Sequence, residues 1–292
     1  MRCLAAGRGR APRRRRAVVH LLALMSDAGT YLDRILADKR TELSALRAGR
    51  SSALSDAELS ELGTRLPRPR DLIAALRQVR PRPAVIAEFK RASPLAGVLR
   101  PDADPRSFAT LYAAAGAAAL SVVTDRHFQG SFDDLRAIRQ TVTLPLVCRD
   151  LILERWQIVE AKRTGADAVV LIVAALPAPL LRQLIDFAHD LDMHVLAEAH
   201  DEAEIERAMA AGARLIGAHA RDLRTSQVDL DRVLRLRPLV PSSFTFLVAG
   251  GLSTLADLRR LQDADVDAAL LGAPLMKAER PGDALRELIE GL

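Results

Sequence analysis

The feature that most constrains the fold is a regular alternation of short apolar runs and helical segments from residue 85 onward. The segments between the runs have apolar residues at three- and four-residue spacing, which is typical of amphipathic helices. Two of these segments end at Gly165 and Gly212, and glycine commonly ends a helix. The eight apolar runs, at intervals of about 26 residues, lie at 85–90, 119–124, 144–148, 168–173, 194–200, 214–220, 245–251 and 267–272. Eight strand–helix units predict an α/β fold of the (β/α)₈ (TIM) barrel type.

A doubly wound open sheet is the alternative, because it is built from the same units. That fold usually has fewer strands and a G-x-G-x-x-G turn after the first, and no such turn follows residues 85–90. Before the barrel, helical patterns at 31–46 and 71–79 flank a linker with a short helix at 47–68. We therefore expect a single domain over residues 25–292, in which an N-terminal helical extension packs on the barrel.

The net charge of +5 is unevenly distributed along the chain. Residues 1–24 contain seven arginines and no acidic residue, so the remaining chain carries a net charge of −2. A mildly acidic body with one Trp and two Tyr argues against a nucleic-acid-binding domain. No small-residue cleavage site follows the leader, as a signal peptide requires, and Met25 is a second candidate start. We expect a leader that is disordered or not native, with targeting or polyanion contact as the alternative.

Neither a membrane span nor a metal centre is indicated by the sequence. The longest strongly apolar stretch, at 168–176, is about half of what a bilayer span requires. The two cysteines, Cys3 and Cys148, cannot form a disulfide framework, and this favours a cytoplasmic protein. His194 and His200 lack the spacing of metal ligands, so we expect no metal and no other cofactor.

The chemistry of a (β/α)₈ barrel collects at the carboxyl ends of its strands. The first predicted strand ends with Glu88 and Lys90, which are two residues apart and therefore on one face. A structural ion pair is the simplest interpretation of these two residues. However, the chain has only four lysines against 38 arginines, so a lysine kept here favours a functional role.

Further charged or titratable residues end three other predicted strands. Each one alone is more often a solvated strand-end charge than a catalytic group. Because a barrel mouth brings strand ends together, a set of mixed sign predicts a site for an anionic substrate. These residues are Arg149, Glu198, His219 and Arg221.

The last two strands end in small residues instead of charged ones. Gly250 and Gly251 end the seventh run, and Gly272 and Ala273 follow the eighth. Glycines allow backbone amides to approach a phosphate closely, and the loops after strands seven and eight are the usual phosphate site of such barrels. We therefore predict phosphate binding at these four residues, through backbone amides more than side chains.

Four segments resemble the indole-3-glycerol phosphate synthase family, and the resemblance extends from about residue 31 to residue 292. IAEFKRASPLAGVL at 86–99 matches an E-x-K-x-x-S-P-S signature except at Leu95, and TDRHFQGSFDDL at 124–135 resembles an F-x-G-S-x-x-D-L loop. LILERWQIVEAKRTGADAVVLIVAAL at 151–176 and GARLIGAHARDL at 212–223 are also similar.

The resemblance implies a (β/α)₈ barrel that converts 1-(2-carboxyphenylamino)-1-deoxyribulose 5-phosphate to indole-3-glycerol phosphate, carbon dioxide and water, without a cofactor. A lysine acid polarises the ketone, and a glutamate assists the dehydration. The matching positions give Glu88, Lys90 and Glu198 catalytic roles. The positions that match substrate-binding residues are Ser93, Phe128 and Arg221.

Several positions depart from the family pattern. Arg149 stands where the family has its catalytic lysine of the third strand, and His219 stands where it has asparagine. Ala249 and Gly250 replace a Glu-Ser pair, and Ala273 replaces a polar residue. Arginine cannot lose its proton near neutral pH, although it can bind a carboxylate. If the chain closes the indole ring, the proton donor must therefore be Lys90 or His219.

The leading hypothesis is a synthase of this reaction, which is a carbon–carbon lyase, with reduced activity. The alternative is a non-catalytic or repurposed barrel paralogue that binds a phosphorylated ligand. A nucleic-acid binder that uses the arginine-rich leader is a third and weaker alternative. We expect a small phosphorylated substrate, no nucleic-acid or membrane partner, and a monomer or homodimer.

Overall fold

The structure is a computed structural model that describes residues 31–48, 54–93, 96–221 and 227–292. Eight parallel strands form a closed barrel, in which β1 pairs with both β4 and β10. The predicted (β/α)₈ barrel is therefore confirmed. Its strands are β1 (Ala84–Phe89), β4 (Ala119–Val123), β5 (Leu146–Arg149), β6 (Ala168–Ile172), β7 (His194–Ala199), β8 (Leu215–His219), β9 (Thr245–Ala249) and β10 (Ala268–Leu271).

The strands follow from apolar residues that are buried on both faces of the sheet. In β1, Ile86 packs inside the barrel with Val170 and Leu196, whereas Val85 and Ala87 pack outward against the helices. This alternation is the two-residue period of a strand. Because both faces are covered, the strands appear in the sequence as continuous apolar runs, which is why they could be recognised there.

Five of the described helices around the barrel begin at a residue whose side chain caps the helix. Asp104, Ser131, Asp201, Asp229 and Thr254 each accept a hydrogen bond from a backbone N–H of the first helical turn. Such caps fix where each βα loop ends and the helix begins. The helices of the barrel are α4 (Pro105–Ala114), α5 (Phe132–Arg139), α6 (Arg155–Arg163), α7 (Ala178–Asp190), α8 (Glu202–Ala210), α9 (Leu230–Leu236), α10 (Leu255–Asp263), α11 (Ala273–Lys277) and α12 (Pro281–Glu290).

The predicted N-terminal helical extension is confirmed, and it comprises α1 (Tyr31–Ala48), α2 (Asp56–Thr64) and α3 (Leu72–Gln78). Leu72 and Leu76 of α3 belong to the interior cluster and close the amino-terminal end of the barrel. At the opposite end, α1 lies against the barrel mouth. Its buried Lys39 pairs with Asp150 at 2.7 Å and with Asp125 at 3.3 Å. These ion pairs hold α1 over the cavity described below.

Two short strands, β2 (Ala92–Ser93) and β3 (Gly97–Val98), form a hairpin in the loop after β1 that the sequence did not predict. The predicted leader at 1–24 and the candidate start Met25 lie outside the described residues. Cys148 is buried within β5. In the described part of the chain, no helix is both long and apolar enough to cross a membrane.

Candidate active site

A cavity of about 530 Å³ opens at the carboxyl ends of the barrel strands. Its walls come from strand ends and βα loops all around the barrel, and α1 contributes Leu32 and Ile35. The cavity is lined by all but one of the residues predicted for the site. Those that line it are Glu88, Lys90, Phe128, Arg149, Glu198, His219, Arg221, Gly250, Gly251, Gly272 and Ala273.

Ser93 is the exception. It lies in β2, within the loop after β1, and it is not among the described residues that line the cavity. Ala96, on the other side of the same hairpin, does line it. The substrate-binding role that the resemblance implies for Ser93 stays a prediction.

Four charged side chains form one connected series across the cavity. Lys90 Nζ donates to Glu88 Oε1 at 2.5 Å, as their two-residue spacing at the end of β1 predicted. Arg149 then joins two carboxylates, with its Nε 3.5 Å from Glu88 Oε2 and its Nη2 2.6 Å from Glu198 Oε2. The order Lys90–Glu88–Arg149–Glu198 alternates in sign, so each buried carboxylate has a cationic partner.

Strand register explains part of this arrangement. Glu88 of β1 pairs in register with Ser121 of β4, and Ser121 Oγ donates to Glu88 Oε2 at 3.3 Å. Arg149 ends β5 opposite Val123. Since β6 lies between β5 and β7 in the closed barrel, only a long side chain such as that of arginine reaches Glu198 on β7.

The ion pairs set the charge of both glutamates. Burial alone would raise the pKa of Glu198, but Arg149, His219 and His200 outweigh it and lower that pKa to about 2. The pKa of Glu88 is also lowered, because Lys90 and Arg149 together outweigh its burial. Both side chains are therefore anions at neutral pH.

One nitrogen of the Arg149 guanidinium makes no hydrogen bond to the described residues. This atom, Nη1, is buried. A buried N–H group of a guanidinium is costly to leave unsatisfied. In a cavity that takes an anionic ligand, a planar guanidinium is well suited to bind a carboxylate.

His219 is the last residue of β8 and lines the cavity. Its Nδ1 donates to the carbonyl oxygen of Arg221 at 2.9 Å, because a carbonyl can only accept. Burial is the main cause that lowers the pKa of His219, and it outweighs the attraction of Glu198. The ring is thus neutral at pH 7, with its proton on Nδ1 and a lone pair on Nε2.

The predicted phosphate-binding residues form the wall between β8 and β1. Gly250 and Gly251 have φ angles of +81° and +93°, which favour glycine because other residues are strained there. At Gly272, an added Cβ would lie 2.6 Å from Glu88 Oε1 and 2.9 Å from Lys90 Nζ. The absence of a side chain at Gly272 therefore makes room for that ion pair.

Three polar residues at or beside the cavity are not among those that the sequence predicts. Lys277 and Ser253 line the cavity beside the glycine loops, and Lys39 holds α1 in place through Asp125 and Asp150. Lysine is scarce in this chain, which is the reason for assigning a role to Lys90. The same signal points to Lys39 and Lys277. Among the described residues, no group of three or more His, Cys, Asp or Glu is placed to hold a metal ion.

The fold and the cavity together define a (β/α)₈-barrel enzyme with a charged site at the carboxyl ends of its strands. The family model described as indole-3-glycerol phosphate synthase matches residues 32–288. The chain therefore belongs to the indole-3-glycerol phosphate synthase family, whose members are carbon–carbon lyases of tryptophan biosynthesis. The resemblance drawn from the four sequence segments is confirmed.

Relatives with that name match nearly the whole chain. The indole-3-glycerol phosphate synthase of Polaromonas sp. (strain JS666 / ATCC BAA-500) is 44% identical over 269 residues, which are 90% of this chain and 98% of the relative. The indole-3-glycerol phosphate synthase of Mycobacterium tuberculosis (strain ATCC 25618 / H37Rv) is 42% identical over 261 residues, which are 89% of this chain and 94% of the relative.

Solved structures of lower identity show the fold. 3-Hexulose-6-phosphate synthase from Salmonella typhimurium matches with a TM-score of 0.61 at 15% identity, over 72% of this chain and 98% of that one. Thiamine phosphate pyrophosphorylase from Pyrococcus furiosus matches with a TM-score of 0.54 at 18% identity, over 72% and 94%.

Proposed function

We propose that this protein converts 1-(2-carboxyphenylamino)-1-deoxyribulose 5-phosphate to indole-3-glycerol phosphate, carbon dioxide and water. The observation that carries the proposal is the series Lys90–Glu88–Arg149–Glu198 within the cavity of a member of this family. In this series, Lys90 and Arg149 are cations that can bind an anionic substrate, and Glu88 and Glu198 are ionised carboxylates beside them. The same proposal places the protein in the cytoplasm, as a monomer or a homodimer.

Lys90 is the proton donor in this proposal. Arg149 cannot give up a proton at neutral pH, and the Nδ1 proton of His219 is held by the Arg221 carbonyl. The Lys90 ammonium lines the cavity and has one donor directed to Glu88. In ring closure, the ketone oxygen takes a proton from Lys90 while the aromatic carbon that bears the carboxylate attacks the ketone carbon.

Arg149 binds the substrate carboxylate through its unpartnered Nη1 in this scheme. Such a contact holds the carboxylate-bearing ring carbon near the ketone, and orientation of this kind contributes strongly to rate. When carbon dioxide leaves, the electron pair of the broken bond returns to the ring. Because a guanidinium cannot act as an acid, we expect a slow enzyme, in which Lys90 alone supplies the proton.

Glu198 acts in the dehydration that follows. Departure of the hydroxyl group from the new ring places positive charge on the ring system through the nitrogen lone pair. Glu198 is an anion whose pKa is about 2, and it lines the cavity. A fixed anion in a partly buried site stabilises such charge much more than water does.

The assay that tests the proposal is fluorescence detection of indole-3-glycerol phosphate from the carboxyphenylamino substrate. Slow but measurable product formation supports it. Binding of the substrate without any product favours the alternative, a repurposed barrel that only binds a phosphorylated ligand. A second family gene in the same genome with an intact set of the substituted catalytic residues would also favour that alternative.

The phosphate of the substrate is proposed to bind at Gly250, Gly251, Gly272 and Ala273, with Lys277 at the edge of the same wall. We expect Lys277→Gln to weaken the binding of ribulose 5-phosphate by about threefold to fivefold, which is the contribution of an exposed ion pair. The loss should shrink at high salt, because exposed charges are screened. Isothermal titration at two salt concentrations measures both effects.

The matched control for Lys277→Gln is Arg182→Gln, which removes an equal charge from the exposed face of α7. Equal losses in the two variants would mean that net charge, and not a contact with Lys277, causes the effect. Substitution of Gly272 gives a less clear test, because a side chain there would also displace Glu88 and Lys90.

A further inference from the structure

The imidazole ring of His219 packs directly against the backbone of Gly250. A Cβ added at Gly250 would lie 2.4 Å from His219 Cε1 and 2.6 Å from its Nε2. Ala249, which pairs in register with His219, also has a small side chain. The imidazole of His219 therefore fills the volume that a side chain at position 250 would need. The ring can lie there because Gly250 has no side chain.

The ring of His219 is held in one orientation. Its Nδ1–H donates to the Arg221 carbonyl, and its own carbonyl accepts from Arg232 Nη2 at 2.8 Å. Arg232 Nη1 also donates to the carbonyl of His200, so one guanidinium fixes the ends of β7 and β8 together. The Nε2 atom has no hydrogen-bond partner in the described ranges, and the residue lines the cavity.

The charged groups around this ring come from the ends of two strands and from a helix. Glu198 and His200 face it from the end of β7, with the His200 ring centroid at 5.7 Å, and Arg149 faces it from β5. Arg232 contacts its backbone from α9. His200 is engaged with Glu204 through Nδ1 at 3.2 Å. His219 is thus a neutral imidazole that lines the cavity beside an ionised Glu198, with the lone pair on Nε2.

We infer that His219 Nε2 is the proton acceptor of the dehydration step, and that Gly250 is the residue that leaves room for it. This inference rests on the proposed function and adds a catalytic group to it. Glu198 is held as a carboxylate by Arg149 and is too weak a base to take a proton from carbon efficiently. Imidazole has the appropriate basicity near neutral pH.

Atoms and electrons balance in this step. Nε2 takes a proton from the ring carbon next to the nitrogen, and the electron pair of that C–H bond forms the new C=C bond of the indole. Lys90 first regains from solvent the proton that it gave to the ketone oxygen during ring closure. It then protonates the hydroxyl group, and the C–O bond breaks to release water. Glu198 then faces the imidazolium, and both His219 and Lys90 return to their starting states by proton exchange with solvent.

The pH dependence of kcat between pH 5 and pH 8 tests the base. We expect kcat of the wild type to fall in a single acid limb as the pH decreases below the ordinary imidazole pKa of 6.5, because burial lowers the pKa of His219 and protonation of Nε2 removes the acceptor. His219→Asn should lower kcat at pH 7 by about 10²-fold and abolish this limb. Ionisation of Glu198 cannot cause the decrease of kcat in this pH range, because the pKa of Glu198 is about 2.

Two histidine variants are the controls. His194→Asn changes a residue at the opposite end of the barrel, where His194 pairs with Asp71. His200→Asn changes the neighbouring ring that binds Glu204. Both variants should keep the acid limb. A limb that persists in His219→Asn, or disappears in His200→Asn, overturns the assignment, whereas absence of product from the wild type at every pH overturns the proposed function as well.

The role of Gly250 is tested by a double-mutant cycle. Gly250→Ala should lower kcat at least tenfold in the wild type by displacing the imidazole, but less than about twofold in a His219→Ala background. The backbone strain at φ +81° is the same in both backgrounds and cancels. Equal losses in the two backgrounds would show that Gly250 acts through the backbone alone and would overturn its role.

Discussion

Arg149→Lys is expected to raise the rate of indole-3-glycerol phosphate formation by about 10²-fold, the usual contribution of a general acid. The lysine Nζ falls near the position of Arg149 Cζ, between the carboxylates of Glu88 and Glu198, so both stay paired. The exchange supplies a second donor that can release a proton, and it removes the buried Nη1 that has no partner among the described residues. Initial rates from product fluorescence measure the gain.

The control at the same position is Arg149→Met, which keeps most of the length of the side chain but not its charge. It leaves two buried carboxylates without their common cation, so we expect product formation to cease. The free energy of unfolding in urea should fall by about 3–5 kcal/mol, as for other buried ion pairs that lose one partner. If the wild type and Arg149→Lys both yield no product, the synthase hypothesis is wrong and the repurposed barrel remains.

The barrel could be predicted because its strands are buried on both faces. Runs such as that around Val170 are continuous in the sequence, and each predicted strand overlaps the observed one with ends that differ by at most two residues. The hairpin of β2 and β3 could not be predicted, since two-residue strands have no periodicity to detect. Its pairing depends on the local turn and on the barrel beneath it.

Contacts in the site could be predicted where the spacing of two residues within one strand determines that their side chains are neighbours. Glu88 and Lys90 are an example, because residues two apart in a strand share a face. The bridge from Arg149 to Glu198 was not predictable, because it depends on how far a side chain reaches between non-adjacent strands. Likewise, Gly250 was interpreted as a phosphate-loop residue, and only the structure shows that the imidazole of His219 fills the space beside it.

The departures from the family pattern are therefore related in space. Arg149 holds Glu198 ionised, and His219 lies beside that glutamate because Gly250 leaves room for its ring. A loss of acid–base groups, as the sequence suggested, would leave vacant positions. In the structure, the imidazole of His219 fills the space beside Gly250, and its Nε2 has no hydrogen-bond partner among the described residues. This imidazole is the base that we infer for the dehydration.

Glu198→Gln should lower kcat by about 10³-fold, because it removes the anion that stabilises the cationic ring system and the His219 imidazolium. Among the described residues, Arg149 would then keep Glu88 as its anionic partner, at 3.5 Å. Product fluorescence at saturating substrate measures the loss. A rate within about threefold of the wild type would contradict the role of Glu198 in the dehydration, whatever the outcome for His219.

The same substitution has a pH-dependent effect on stability. The pKa of Glu198 is about 2 in the folded chain, below its ordinary value of 4.5, so its ion pair contributes stability above about pH 4.5 and loses it as the pH falls toward 2. We expect Glu198→Gln to lower the free energy of unfolding by about 3 kcal/mol at pH 7 and by less than half of that at pH 3, measured in urea. Glu61→Gln, which removes an exposed carboxylate paired with Arg65, should change it by less than about 0.5 kcal/mol at either pH. A difference between wild type and Glu198→Gln that is the same at both pH values would show that Arg149 does not hold this carboxylate ionised.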